Sequence, residues 1–185
     1  MVVSASTLTS VVGISLQLIY REAFKRIGYN VDFVEAPLHR AELMVTSGQV
    51  DGELHRVKEY GDTRPTILRV PTPHFPTVFS AYSAQPLILK DGWDALKDTK
   101  FRVNYREGVL WAKDHLYDRL PANQIQSVPT DESGLNKLLA GRSDLFIDQD
   151  QIIDEILRGP RFRDTAINPA DPAGHSHHRA AGCRL

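Results

Sequence analysis

The sequence predicts an α/β protein made of two similar units with a cleft between them, on three observations. A helix-like stretch running into Gly-x-x-Asp and then a short apolar run occurs twice, as Ser47-Gly48-Gln49-Val50-Asp51-Gly52-Glu53-Leu54 and as Ala140-Gly141-Arg142-Ser143-Asp144-Leu145-Phe146-Ile147. Strand and helix patterns alternate with short connections on either side of a proline-rich middle, the signature of mostly parallel sheets covered by helices on both faces. In each repeat the glycine suits the left-handed position that ends a helix, and the residues after the aspartate suit a buried strand.

In the first unit, residues 2–5 read as a strand and 11–27 as a helix. Leu16, Ile19, Tyr20, Ala23, Phe24 and Ile27 follow the spacing of one helical face, and Gly28 ends it. A short strand spans 31–34. Pro37 fits the first turn of a second helix, which turns Leu38, Ala41 and Val45 inward and stops at Gly48. The first Gly-x-x-Asp strand follows.

Four prolines, Pro65, Pro71, Pro73 and Pro76, then forbid a long helix. Residues 77–82 are β-prone and lead into the second unit, where the pattern reads strand 101–105, helix 108–120, strand 125–128, helix 131–140, the second Gly-x-x-Asp strand and a helix over 150–158. The expected division is 1–80 for the first lobe, 81–165 for the second and 166–185 for a tail. From Asn168 onward the sequence turns to Pro, Ala, Gly, His and Arg, a mixture that cannot bury apolar area to offset its ordering entropy. His175, His177, His178 and Cys183 in that tail match no regular zinc spacing, so no metal site is assigned.

Bulk properties exclude several classes. The chain has 185 residues, a formal net charge of −1 and scattered basic residues, which gives no electrostatic footprint for nucleic acid. No apolar run approaches the roughly 20 residues that span a bilayer. The start, Met1-Val2-Val3-Ser4-Ala5, has neither a basic n-region nor a long apolar stretch, so the protein is either cytoplasmic or begins after a removed signal. Its single cysteine excludes an internal disulfide.

The runs Ile19-Tyr20-Arg21-Glu22-Ala23-Phe24-Lys25-Arg26-Ile27-Gly28, Pro37-Leu38-His39-Arg40-Ala41 and Gly48-Gln49-Val50-Asp51-Gly52-Glu53 resemble the first lobe of type 2 periplasmic solute-binding proteins. Arg69-Val70-Pro71-Thr72-Pro73, Gly92-Trp93-Asp94-Ala95-Leu96-Lys97, Tyr105-Arg106-Glu107-Gly108 and Leu138-Leu139-Ala140-Gly141-Arg142-Ser143-Asp144 follow in that family's order. More narrowly, the likeness is to the amino-acid-binding family that serves ABC transporters, and it covers roughly residues 2–165. It implies a non-enzymatic, extracytoplasmic protein that captures an amino acid or related carboxylate between two lobes, without a cofactor, for delivery to a membrane permease. Two hinge strands join the lobes in that fold, 77–82 being the outgoing one, and closure around the ligand is its mode of action.

The resemblance also implies site residues. An arginine shortly after the first Gly-x-x-Asp strand clamps a ligand carboxylate in the family, and Arg56 holds that place, with backbone groups of Gly52, Glu53 and Leu54 beside it. A planar guanidinium suits the task because it gives two parallel charge-assisted hydrogen bonds. The alternative for Arg56 is an ion pair with Glu53 or Glu59. In the second lobe the Gly108-Val109 turn presents amides at a helix N-terminus, and Asp148 is the candidate acceptor for a ligand ammonium, one residue earlier than the family pattern. Asp150 caps the next helix. Phe75, Tyr82 and Trp111 are aromatic candidates for the ligand or for core packing, and Arg40 either reaches the cleft or lies solvated. Asp51 and Asp144 read as strand-end hydrogen-bonding residues.

Two other functional classes stay open. An enzyme on this scaffold, such as a cyclic-acid dehydratase, would use His55 as its general acid or base; a sensor module would require an attached signalling domain. At the C-terminus the family returns through a second hinge strand and packs helices on the first lobe, and nothing after Ile167 reads that way. The expectation is a truncated fold whose first lobe exposes apolar surface and self-associates.

Overall fold

The computed structural model describes residues 1–170 except 4, 57, 73 and 76, and the side chains of 5, 6, 58 and 59 are outside the description, as is the tail from 171 with its histidines and cysteine. The chain divides after residue 76 into two compact units.

The first unit holds a two-stranded parallel sheet, β1 (Val2–Val3) and β2 (Val34–Glu35), with helices α1 (Ala5–Thr9), α2 (Val11–Arg26), α3 (Leu38–Thr46) and α4 (Lys58–Asp62). Ser10 caps α2 by accepting from the Gly13 amide at 3.0 Å, satisfying one of the donors a helix leaves open at its start. Val2, Ala36 and Ala41 form one small core with Met44, Val45 and Val50 against it. Val3, Leu16 and Leu54 form another, lined by Val12, Tyr20, Phe33 and Phe75.

Two sequence expectations change here. The run after Asp51 is a single bridge from Val2 to Glu53 rather than a strand; three residues interrupted by a glutamate supply too little apolar surface to extend the pairing. The inward face of α2 is narrower than its spacing implies. Leu16 is buried and Tyr20 partly so, but Ile19 and Ile27 are 50% and 65% exposed, because a sheet of two short strands covers only a stripe of a 16-residue helix. On its outer face Val11, Ile14 and Leu18 stand 50% or more in solvent.

The second unit is a five-stranded sheet in the order β5-β4-β6-β3-β7, comprising β3 (Phe79–Ser83), β4 (Val103–Arg106), β5 (Ile125–Val128), β6 (Leu145–Gln149) and β7 (Asn168–Pro169). β4 pairs parallel with β5 and β6, and β3 runs antiparallel to β6 and β7. Helices α5 (Leu110–Tyr117), α6 (Asp131–Leu139) and α7 (Asp150–Arg158) provide the crossovers and the cover. Thr130 and Ser133 exchange side-chain and backbone hydrogen bonds in a capping box that starts α6. The core gathers Tyr82, Val128, Leu135, Leu138, Phe146, Ile153, Phe162 and Ile167, each full burial of a large aliphatic or aromatic side chain contributing about 1.5–3 kcal/mol. Gly48 and Gly141, the glycines of the repeated phrase, both have positive φ, 73° and 62°.

Residues 166–170, assigned to the tail by composition, are part of this unit. Ile167 is buried in the core, Asn168 and Pro169 pair with Ser83 and Tyr82, and the Ala170 amide donates to the Ala81 carbonyl at 2.7 Å. Proline is compatible with this place because an edge strand has no further partner to receive its missing N–H. Among the described residues no helix is long and apolar enough to cross a membrane.

Gly134 lies where α6 crosses the sheet, and a Cβ there would sit 2.5–2.8 Å from three carbons of the fully buried Phe146 ring. Gly134→Ala is therefore expected to destabilise the second unit by about 1–3 kcal/mol, the range for overpacking a filled core, read as a lower urea midpoint at unchanged slope.

Candidate functional site

In the first unit the 52–56 segment is held from below by β1. Val2 donates to the Gly52 carbonyl at 2.9 Å and accepts from the Leu54 amide at 3.0 Å. Those two backbone groups, expected from sequence to face a ligand, are thus committed to the sheet, and the Leu54 side chain is buried. In a parallel pairing of this kind the peptide groups of Glu53 point the other way.

Arg56 comes out of this segment into a network of its own. Its Nε donates to both Glu53 carboxylate oxygens at 2.9 and 3.0 Å, and its Nη2 donates to Oε1 at 2.6 Å and to the Leu38 carbonyl at 2.8 Å. The guanidinium lies over the Tyr60 ring, 4.6 Å from its centre, and Arg64 lies 4.1 Å from the same centre. Arg64 in turn donates to Glu42 on α3 at 2.7 Å. Burial, reinforced by the Glu53 charge, raises the Tyr60 hydroxyl above its ordinary pKa despite the opposing Arg56, so Tyr60 is a neutral phenol. Two arginines, two glutamates and one tyrosine thereby tie α3, the 53–56 segment and α4 together. The Glu53 partnership is one of the two alternatives open at the sequence level.

The other first-unit candidates are disposed as follows. His55 is partly buried with its ring 6.3 Å from that of Phe75, which packs on the Val3 core. Arg40 and Asp51 are exposed.

In the second unit the Gly108-Val109 turn links β4 to α5. Gly108 has φ 84°, and the Val109 amide donates back to the Arg106 carbonyl at 3.1 Å, so that amide closes the turn instead of facing outward. Asp148, the sequence candidate for a ligand ammonium, is fully buried. It accepts from Arg106 Nε at 2.9 Å and from the Gln149 amide at 2.7 Å, and Asp131 at the start of α6 lies 3.3 Å from the same Arg106 nitrogen. Asp148 therefore neutralises an internal arginine. Burial works against the Arg106 charge, but Asp148 and Asp131 outweigh it and raise the guanidinium pKa above its usual value.

Arg106 is the residue that sequence reasoning missed as a charge partner, although its signal was present. The parallel register pairs Val103 with Leu145, Asn104 with Phe146 and Tyr105 with Ile147; one step further sets Arg106 beside Asp148. The expected strand-end role of Asp144 is met, since it accepts from both the backbone amide and the guanidinium of Arg102 at 2.7–3.1 Å. Tyr82 and Trp111 pack internally: the Tyr82 hydroxyl donates to Asp154 at 2.9 Å, and Trp111 stacks on Phe79 with centres 4.5 Å apart.

No family model matches the chain. A protein of Shewanella oneidensis, described only as uncharacterized, is 31% identical over 153 residues, which is 83% of this chain and 58% of that one. This chain thus spans less than two thirds of its relative's length. Among solved structures, the amino acid ABC transporter substrate-binding protein AbpA of Streptococcus pneumoniae, bound to L-arginine, superposes with a TM-score of 0.62 at 16% identity over 84% of this chain and 63% of that one. The arginine-, lysine-, histidine-binding protein ArtJ of Geobacillus stearothermophilus gives 0.70 at 14% identity over 92% and 74%. At such identities the likeness establishes architecture: the chain has the α/β fold of the two-lobed periplasmic binding proteins.

Removing the internal arginine should be costly. Arg106→Met leaves Asp148 and Asp131 buried without their cation, and a loss of roughly 3–5 kcal/mol is expected in urea unfolding. Adding Asp148→Asn to that variant should restore part of the loss.

Proposed function

We infer that the chain is an extracytoplasmic solute-binding protein that captures an amino acid or related small carboxylate for delivery to an ABC transporter permease. The observation that carries this reading is Arg56, a guanidinium on the segment after the first Gly-x-x-Asp, in a chain whose fold matches a structure solved with L-arginine bound and that of an arginine-, lysine-, histidine-binding protein. A two-point hydrogen bond to a carboxylate is what such a group does best. A micromolar affinity needs about 8 kcal/mol, within reach of one such clamp with a few amide bonds and enclosed apolar contacts. The alternative, an enzyme using His55 as its general acid or base, draws on a histidine whose ring lies 6.3 Å from that of Phe75. The exposed outer face of α2 is the surface through which copies of the chain would associate.

Thermal unfolding against a panel of amino acids and organic acids tests the reading. At a ligand concentration 100 times Kd, binding adds about 2.7 kcal/mol, a rise of about 5–10 °C for a chain of this size. Arg56→Ala, verified as folded by circular dichroism, should lose that rise. Failure of every compound to shift the wild-type protein would refute solute capture.

A further inference from the structure

Arg56 is held shut by a charge of the protein's own. Its guanidinium spends three contacts of 2.6–3.0 Å on the Glu53 carboxylate, and the two side chains are only 12% and 10% exposed. The pair as a whole is neutral, so it offers no net attraction for an anion. A plain carboxylate that takes the Nε and Nη2 edge of Arg56 displaces Glu53, which would strand a negative charge where most water is excluded. A plain amine faces the converse problem, because drawing Glu53 away would strand Arg56. A molecule with an ammonium next to its carboxylate replaces one internal ion pair by two, the carboxylate accepting from Arg56 and the ammonium donating to Glu53.

We propose that Glu53 is the specificity-determining residue of this site: it accepts the ammonium of an α-amino acid while Arg56 holds the carboxylate, so that zwitterions bind and simple carboxylates and simple amines are rejected. This rests on the solute-binding reading above and adds to it the group that distinguishes an amino acid from an organic acid.

The test is calorimetric titration of the full chain with the twenty common amino acids and, for each, the deaminated carboxylic acid and the decarboxylated amine. Both analogues should bind at least about tenfold more weakly than the parent amino acid, a discrimination of about 1.4 kcal/mol. Glu53→Gln keeps a hydrogen-bond acceptor beside Arg56 but removes the charge; it should weaken the amino acid and narrow the gap to the deaminated acid. A role for Glu53 as a structural brace alone would leave that ratio unchanged. Deaminated acids binding within about twofold of their amino acids, or a ratio unmoved by Glu53→Gln, would overturn the proposal while leaving solute capture standing. Binding of none of the compounds would overturn both. A wild-type ratio near one overturns the proposal without any variant. Where Glu53→Gln does not fold, Glu53→Asp, which keeps the charge but shortens its reach, should weaken the amino acid more than the deaminated acid, and an equal effect on both would overturn the proposal.

Discussion

A guanidinium withdrawn from water must find its counter-charge within hydrogen-bond reach, and this constraint organises both units. Arg106 meets it with Asp148 and Asp131, drawing together the ends of β4 and β6 and the start of α6. Arg64, just past the end of α4, meets it with Glu42 on α3, and Arg56 with Glu53. Because a partly desolvated ion pair gains little over an apolar contact but loses much when one partner is removed, each pair is a commitment. The Arg106 commitment holds the Asp148 carboxylate in an internal ion pair. That of Arg56, with Glu53, lies closer to solvent.

Most of the second unit was legible because its signals are complete. α7 places Ile152, Ile153, Ile156 and Leu157 at helical spacing, β6 is an unbroken apolar run, and Thr130 with Ser133 marks the start of α6. The first unit is less readable. α2 carries apolar residues on both faces, so Ile19 and Leu18 are equally consistent with burial and only the width of the sheet decides between the faces. The apolar run after Asp51 ends after three residues, too short to extend beyond one bridge. Asn168-Pro169 has the composition of coil, yet two residues at a sheet edge need no periodicity, only the anchor of Ile167.

The candidate site divides in the same way. Arg56 was singled out by the resemblance, as the arginine that follows the glycine-aspartate phrase, and its pairing with Glu53 was one of two open choices, since i and i+3 side chains are close in any tight turn. The ion pair of Asp148 was not legible because its partner lies 42 residues away and becomes visible only once β4 and β6 are set in register. Gly52 and Leu54 are backbone contacts of β1, a pairing that no local pattern announces.

Under the proposed function, the Arg56–Glu53 pair opens to receive a ligand carboxylate. Nitrogen-15 NMR of the arginine side chains reports it directly, since each Nε–H gives its own resonance and that of Arg56 currently donates to Glu53. On titration with a stabilising amino acid, the Arg56 Nε–H resonance should move with saturation at the calorimetric Kd, while that of the buried Arg106 stays in place. Saturable binding that leaves the Arg56 resonance unmoved would contradict the account.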